Sequence, residues 1–283
     1  ASFTTTLLAN GKVLVAGGFD GSKILGAAEL YDPATNVWAG AGAMISPRRT
    51  HAAALLATSK VLTVGGESSV GTLASADLYD PATNTWAATG ALAAARRLHT
   101  ATVLGNGKVL VTGGNGAAAT SLATTELYTA ATGTWAAGGS MNGAREDHSA
   151  TLLANGKVLA AAGNNWFTPV NGQILKTTEL YDPVANTWAG AAVMGQFRQA
   201  HTATLLANGA VLITGGSPLT ASVEFYDPTG NTWTAAGALI TARASHQPVP
   251  LPAGRALIFG GQGAASALAT AEIYGPGANG TPC

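Results

Sequence analysis

The sequence has few charged residues and almost no cysteine. Its 283 residues include 14 Lys and Arg, 14 Asp and Glu, and a single cysteine, Cys283, at the last position. The net charge is zero, so the chain lacks the basic surface that nucleic acids or an anionic membrane would attract. One cysteine excludes an internal disulfide, and cysteine pairing therefore says nothing about the compartment.

Long hydrophobic runs are also missing. Hydrophobic residues make up 47% of the chain, but glycine and polar residues interrupt every stretch before the roughly 18 residues of a membrane span. We therefore expect no nucleic-acid partner and no membrane insertion. The low lysine content and the abundance of Ala, Gly and Thr favour a secreted or cell-surface protein.

What the sequence contains instead is a repeat of about 48 residues. Six units are marked by a pair of small residues, which are Gly17-Gly18, Gly65-Gly66, Gly113-Gly114, Ala162-Gly163, Gly215-Gly216 and Gly260-Gly261. In five units a Tyr and a Trp follow, seven residues apart, which are Tyr31 and Trp38, Tyr79 and Trp86, Tyr128 and Trp135, Tyr181 and Trp188, and Tyr226 and Trp233. The sixth unit keeps Tyr274 but has Thr281 in place of the Trp.

Charged residues and histidines keep the same register. An Arg follows each Trp by ten residues, at Arg48, Arg96, Arg145, Arg198 and Arg243. A His follows each Arg by three, at His51, His99, His148, His201 and His246. An acid precedes each Tyr by two, at Glu29, Asp77, Glu126, Glu179, Glu224 and Glu272. Most of the conspicuous residues are thus part of the repeat.

Each unit reads as four short strands. Runs rich in Val, Leu, Thr and Tyr are bounded by Gly, Pro, Asn and Asp, and in repeat 3 they cover residues 99–104, 108–112, 124–128 and 133–137. Asn-Gly pairs such as Asn106-Gly107 predict tight hairpins between the first two strands. Asp-Pro pairs such as Asp80-Pro81 predict turns between the last two. A repeat of this length made of short strands indicates a β-propeller with one blade per unit.

The glycine pair, the Tyr and Trp spacing and the Arg before the next unit resemble the kelch repeat. The resemblance covers essentially the whole chain and departs from the pattern at Ala162 and at Thr129-Ala130, where Asp-Pro is expected. It implies an all-β, six-bladed propeller of four antiparallel strands per blade, with an incomplete sixth blade. The blades of this single domain are expected at about residues 1–41, 42–90, 91–139, 140–191, 192–237 and 238–283.

The repeated arginines have two interpretations. Kelch domains that bind peptides commonly use arginines on the face that carries the loops between second and third strands, and the matching positions here are Arg48, Arg96, Arg145, Arg198 and Arg243. The acids at fixed register favour structural ion pairs instead. The histidines, one per blade, are expected to be structural and bonded to backbone groups of the adjoining blade, because metal ligands must converge on one ion. We expect no metal and no cofactor.

Candidate binding residues are those that the repeat does not require. Arg49 and Arg97 double the repeat arginine, and Glu146 and Asp147 occupy the corresponding positions after Arg145 in front of blade 4. The long loop after the glycine pair of repeat 4 adds four more residues, which are Asn164, Asn165, Trp166 and Phe167. A Trp beside amide side chains is a candidate platform for a sugar or a peptide.

No residue set requires catalysis, since a nucleophile with its base or a convergent metal site is not apparent. The cysteine-modified tyrosine of kelch-type copper oxidases is disfavoured because the one cysteine ends the chain. We expect a non-catalytic extracellular or surface-associated domain that binds proteins or carbohydrates or assembles with copies of itself. The alternatives are an enzyme, such as a lyase, epimerase or hydrolase with an arginine and acid site, and an intracellular protein-interaction adaptor.

Overall fold

The computed structural model describes residues 2–166, 173–275 and 281–282, which form strands and turns without a helix. The chain divides into two compact units, Ala1–Ser140 and Met141–Cys283. Each unit contains three antiparallel sheets of four strands, one sheet per repeat. The predicted all-β architecture of six four-stranded blades is confirmed, while the single domain stays a prediction.

In unit 1 short hydrophobic strands alternate with turns that contain Gly, Asn and Asp. They are β1 (Thr4–Leu7), β2 (Val13–Ala16), β3 (Ala27–Asp32), β4 (Val37–Ala43), β5 (Ala52–Leu55), β6 (Val61–Val64), β7 (Glu67–Ser68), β8 (Gly71–Thr72), β9 (Ala76–Asp80), β10 (Thr85–Thr89), β11 (Arg96–Arg97), β12 (Thr100–Val103), β13 (Val109–Thr112), β14 (Asn115–Gly116), β15 (Thr125–Thr129) and β16 (Thr134–Ala137). The three sheets have the orders β1-β2-β3-β4, β5-β6-β9-β10 and β12-β13-β15-β16, and β7-β8 and β11-β14 are two-stranded ribbons.

Unit 2 repeats this plan. Its strands are β17 (Ser149–Leu152), β18 (Val158–Ala161), β19 (Asn164–Asn165), β20 (Gln173–Ile174), β21 (Thr178–Asp182), β22 (Thr187–Gly190), β23 (Thr202–Leu205), β24 (Val211–Thr214), β25 (Ser222–Asp227), β26 (Thr232–Ala238), β27 (Gln247–Leu251), β28 (Arg255–Phe259), β29 (Ala271–Tyr274) and β30 (Thr281–Pro282). The sheets are β17-β18-β21-β22, β23-β24-β25-β26 and β27-β28-β29-β30, and β19-β20 is a ribbon. With only two residues in β30, the sixth blade is the least complete, as predicted.

The turns follow the predicted local chemistry. Gly107 has φ +79°, and the Asn106 side chain accepts a hydrogen bond from the Lys108 amide at 3.1 Å. Such a left-handed residue matches the twist of the two strands that it joins. Asp80 accepts a bond from the Ala82 amide at 2.9 Å and so closes the turn between β9 and β10. Each sheet therefore has its hairpin turns at the same end.

Hydrophobic residues fill the space between neighbouring sheets within each unit. One cluster joins repeats 1 and 2, another joins repeats 2 and 3, and equivalent clusters join repeats 4 and 5 and repeats 5 and 6. In repeats 1 to 5 the Tyr of the third strand lies directly opposite the Trp of the fourth, as Tyr79 does with Trp86, whose ring centroids are 5.2 Å apart. Three of these pairs belong to the clusters between sheets: Tyr79, Tyr128 and Tyr226 are buried in them, and the opposite Trp packs against each cluster.

The indole N–H groups connect neighbouring sheets. Trp86 Nε1 donates to the carbonyl of Ala41 in the preceding repeat at 2.8 Å, and Trp135 Nε1 donates to Gly90 at 2.7 Å. The tyrosine hydroxyls of repeats 1, 2, 4 and 5 donate instead to an asparagine side chain within their own repeat. Tyr79 donates to the side chain of Asn84 in its own turn at 2.8 Å, because Asn84 adopts a left-handed conformation at φ +54° that places its amide beside the ring.

We expect Trp86→Phe to destabilise the protein by about 1–3 kcal/mol, because the buried Ala41 carbonyl loses its donor while an aromatic ring is kept. Trp38→Phe is the matched control: Trp38 belongs to repeat 1 and is 55% exposed, so its replacement should change stability by less than about 0.5 kcal/mol. Urea unfolding of both variants measures the difference. Equal losses would contradict a role for the indole bond between sheets.

Candidate functional site

The repeated arginines are buried and form ion pairs with the repeated acids. The five pairs are Arg48 with Asp77, Arg96 with Glu126, Arg145 with Glu179, Arg198 with Glu224, and Arg243 with Glu272, at 2.7–3.0 Å. Each arginine is at most 1% exposed. The expected ion pairs are therefore present, and the guanidinium groups have no open side toward solvent.

Arg96 illustrates how completely such a group is bonded. Its Nη1 donates to the carbonyls of Gly113 and Thr124 at 2.7 and 2.9 Å, and its Nη2 donates to Glu126 at 2.9 Å. Burial lowers the pKa of Arg96, and the Glu126 carboxylate opposes that shift. Glu126 in turn accepts the Ala93 amide at 2.7 Å. The pair ties the loop before blade 3 to the second and third strands of that blade, which is a structural task.

The histidines are also buried, and their partners differ from the prediction. His201 Nε2 contacts Ser149 Oγ at 2.9 Å, and His51 Nε2 contacts Thr4 Oγ1 at 3.0 Å. The predicted backbone partners are therefore wrong for these two histidines. His246 Nε2 likewise contacts Thr202 Oγ1 at 2.8 Å, whereas His99 has the predicted kind of partner, a backbone group of the preceding repeat at Val64.

Burial keeps the histidines neutral near pH 7. It lowers the pKa of His51, His99 and His201 to about 3 and that of His246 to about 4, and the neighbouring repeat arginines add to the shift. Such groups are poor acids and bases at neutral pH. In the part of the chain that the structure describes, no three His, Cys, Asp or Glu side chains are grouped to hold a metal ion.

One pair of bridged positions occurs next to each repeated arginine, but the residue types at the two positions change from repeat to repeat. The residue after each repeat arginine forms a backbone bridge with the residue after the glycine pair that follows. These bridges join Arg49 with Glu67, Arg97 with Asn115, Glu146 with Asn164, Gln199 with Ser217, and Ala244 with Gln262. The backbone is fixed while the side chains vary, so these bridge pairs are where the domain can acquire specificity.

In unit 1 the bridge pairs form a charged cluster. Arg49 Nη2 lies 2.9 Å from Glu67 Oε2, and Arg97 Nη1 lies 2.9 Å from Glu67 Oε1. The side chains of Arg49, Arg97 and Glu67 are 34%, 30% and 22% exposed. Phe19 stands 5.2 Å from the Arg49 guanidinium and supports it by a cation–π contact. We call these three charged residues the Arg49–Glu67–Arg97 cluster.

The candidate binding residues predicted from the sequence did not include Glu67 or Phe19, which contact Arg49. Glu67 and Phe19 both follow a glycine pair directly, and that shared position is the signal that would have identified them. Only folding brings Glu67 between two arginines from successive repeats.

In unit 2 the predicted residues separate into buried and exposed ones. Glu146 and Asn164 exchange backbone hydrogen bonds at 2.8 and 2.9 Å and are only 3% and 2% exposed. Asp147 and Asn165 are half-buried. Trp166 is 56% exposed. Phe167 lies outside the described residues.

Comparisons with known proteins agree with this arrangement. The family model of the Kelch motif matches residues 2–44, which contain the whole sheet of repeat 1. The solved structure of YjhT aligns with a TM-score of 0.76 over 96% of this chain and 93% of YjhT, at 16% sequence identity. The chain has a six-bladed β-propeller fold, and its first repeat matches the Kelch motif. No curated protein sequence matches it.

A kelch propeller fold supports a role in binding, and proteins are the general partners of such propellers. The described residues include no helix long and apolar enough to cross a membrane. The repeated framework residues are engaged internally and Glu146 and Asn164 are buried, which leaves the Arg49–Glu67–Arg97 cluster and Trp166 as the candidate ligand contacts.

Proposed function

We propose that this protein is a non-catalytic, extracellular or surface-associated propeller that binds a protein ligand. The Arg49–Glu67–Arg97 cluster is the observation on which this proposal depends. The five repeat arginines are needed to hold the sheets, whereas Arg49 and Arg97 are half-exposed and make no contact that every repeat requires. Charges that the fold does not need are candidates for recognition.

The cluster is suited to a carboxylate. Two guanidinium groups share the single carboxylate of Glu67, so one positive charge is left over. Arg49 uses Nε and Nη2 for Glu67, and Arg97 uses Nη1. A guanidinium carries five N–H donors in a planar fork, so donors remain for a ligand. Such forks bind carboxylates with defined geometry, and Glu67 holds both of them in place before the ligand arrives.

Trp166 offers a second contact of a different kind. It follows the half-buried Asn165 at the end of the described part of its loop, and its indole is more than half exposed. Tryptophan and arginine are common anchors of binding interfaces. We therefore expect a ligand with an acidic residue for the cluster, and Trp166 is a separate candidate contact in unit 2 for an apolar residue.

Selection from a displayed library of random peptides tests the proposal. Binders of the wild-type protein should be enriched in Asp and Glu, and Arg49→Ala and Arg97→Ala should each weaken a selected peptide by about 30-fold, or about 2 kcal/mol. Arg255→Ala is the matched control, because Arg255 is also half-buried but lies at the hairpin end of β27 and β28. Its affinity should equal that of the wild type.

Other outcomes distinguish the alternatives. Unchanged affinity of both arginine variants, measured by calorimetry, would contradict the assigned site. If the protein binds members of a glycan panel and selects no peptide from the library, its ligand is a carbohydrate and not a protein. Turnover of a bound compound would favour the enzyme alternative. Protease accessibility on intact source cells tests the surface location.

A further inference from the structure

A second repeated ion pair lies at the hairpin end of the sheets. Lys12 Nζ is 3.2 Å from Asp32, Lys60 Nζ is 3.0 Å from Asp80, and Lys157 Nζ is 3.2 Å from Asp182. In each case the lysine immediately precedes the second strand and the aspartate ends the third. The pairs are partly exposed, with lysine side chains 41–43% accessible. In these three repeats the lysine and aspartate charges neutralise each other at the hairpin end.

Repeats 3 and 5 each keep only one residue of the Lys–Asp ion pair. In repeat 3 Lys108 is retained, but the aspartate position is Thr129. In repeat 5 Asp227 is retained, but the lysine position is Ala210. The strand registers Val109 with Tyr128 and Val211 with Tyr226 confirm that these are the equivalent positions. Within the described residues, neither Lys108 nor Asp227 has an ion-pair partner.

The loss of the lysine in repeat 5 leaves space. A cavity of about 530 Å³ opens beside Asp227 and is lined by Asn155, Asn208, Ala210 and Pro228. Asp227 is exposed, and its Oδ1 accepts the Thr229 amide at 2.8 Å. The carboxylate is thus held by its turn and faces the region that a lysine side chain fills in three other repeats of this chain.

We propose that this Asp227 cavity receives Lys108 from a second copy of the chain. The internal comparison defines the chemistry, because an ammonium on a flexible alkyl chain is what the other aspartates of this type bind. Other lysines have neighbours: Lys12, Lys60 and Lys157 are paired, Lys176 stands 5.0 Å over the Phe197 ring, and Lys23 adjoins Asp20. Among the lysines, Lys108 is left to supply the missing charge, and the arginine at the equivalent position of repeat 6, Arg255, donates to the carbonyl of Pro252 in its own turn.

Such a contact makes a weak, directional assembly. A partly exposed ion pair contributes little by itself, so self-association should depend strongly on protein concentration and salt. Every copy carries both half-sites, so the contact either closes a symmetric pair or extends from copy to copy. The contact uses the hairpin end of the sheets and not the bridge pairs. A test of this self-association is therefore independent of the test of the proposed ligand site.

Carbodiimide coupling followed by mass spectrometry tests the contact, because this reagent converts a contacting carboxylate and amine into an amide. The wild-type protein should give a concentration-dependent dimer band that contains a peptide linking Lys108 to Asp227. Ala210→Lys should lose that link, since it restores within one chain the pair that repeats 1, 2 and 4 contain. Val184→Lys is the control, because it adds the same charge at a 96% exposed turn residue outside the cavity and should keep the link.

A mixing experiment identifies the two copies. Lys108→Ala and Asp227→Ala should each fail to form the link alone, whereas their equimolar mixture should form it, because each variant then supplies one intact half-site. The proposal is overturned if the wild-type dimer lacks the linked peptide, if Asp227 is coupled to a different lysine, or if the mixture fails to restore the link.

Discussion

Replacing Arg96 by alanine is expected to destabilise the protein by about 3–5 kcal/mol, the cost of breaking a buried ion pair by removing one partner. The change leaves the Glu126 carboxylate, which is 5% exposed, without its counter-charge. It also removes the donor from the carbonyls of Gly113 and Thr124. Urea unfolding at pH 7, with the midpoint and slope both recorded, gives the free energy.

The adjacent residue provides the control. Arg97→Ala removes the same chemical group from a 30% exposed position that pairs with Glu67, where the loss should be about 1 kcal/mol or less. Comparable losses for the two variants would contradict the division between framework and ligand-site arginines. A folded Arg97→Ala variant is also what the binding experiment requires.

A double variant isolates the buried charge. Arg96→Met combined with Glu126→Gln removes both charges. The glutamine keeps a side-chain oxygen that can accept the hydrogen bond that the Ala93 amide donates to Glu126 in the wild type. We expect the double variant to be more stable than Arg96→Met alone, because no unpaired charge is left in the interior. If it is less stable, the hydrogen bonds and not the charge determine the cost of losing Arg96.

Acid should destabilise the protein well above the pH at which its carboxylates titrate. Folding lowers the pKa of His51, His99 and His201 from 6.5 to about 3, and that of His246 to about 4. In the unfolded chain these groups gain a proton near pH 6.5, whereas in the folded protein they stay neutral. The stability that they contribute is complete above pH 6.5 and is lost as the pH falls toward the folded values.

The expected slope is large. Between pH 6 and pH 4.5 each of these histidines should remove about 1.4 kcal/mol of unfolding free energy per pH unit, because the unfolded state binds one more proton. The aspartates with lowered pKa values, Asp20, Asp32, Asp80 and Asp182, add to the loss in the same direction below about pH 4. Urea unfolding at half-unit pH intervals measures the slope.

His201→Gln tests the assignment to a single residue. Glutamine can still bond to Ser149 but does not titrate, so the slope between pH 6 and pH 4.5 should fall by about 1.4 kcal/mol per pH unit, whatever the stability at pH 7. An unchanged slope would show that His201 does not carry the proton linkage. The slope separates this effect from the packing loss that any core substitution causes.

The strands and turns were accessible from the sequence because their signals are local. In repeat 3 the predicted strands agree with β12, β13, β15 and β16 to within one or two residues at each end. Hairpin glycines, Asp-Pro turns and alternating hydrophobic residues act within a few positions of one another. Six copies of the same pattern made the number of sheets evident, and the acid and arginine register made their ion pairs predictable.

The site was harder to predict because its contacts join residues 18 and 30 positions apart in the sequence. Arg49 and Arg97 stood out as charges beyond the repeat, yet only the fold places Glu67 between them. Glu146 and Asn164 appeared equally suitable in sequence, but backbone pairing buries both. The hydroxyl partners of the histidines and the asparagine partners of the tyrosines likewise depend on side-chain orientation, which the residue type alone does not define.

The sequence by itself determined the repeat, the strand order within each blade and the buried Arg–acid pairs, since recurrence at fixed spacing constrains every copy together. Tertiary structure alone decided which of the non-repeated charges remain exposed and which lose a partner. The incomplete pairs at Lys108 and Asp227 show the reason. A substitution at one position becomes a free charge or a cavity only when strand register brings the opposite position beside it.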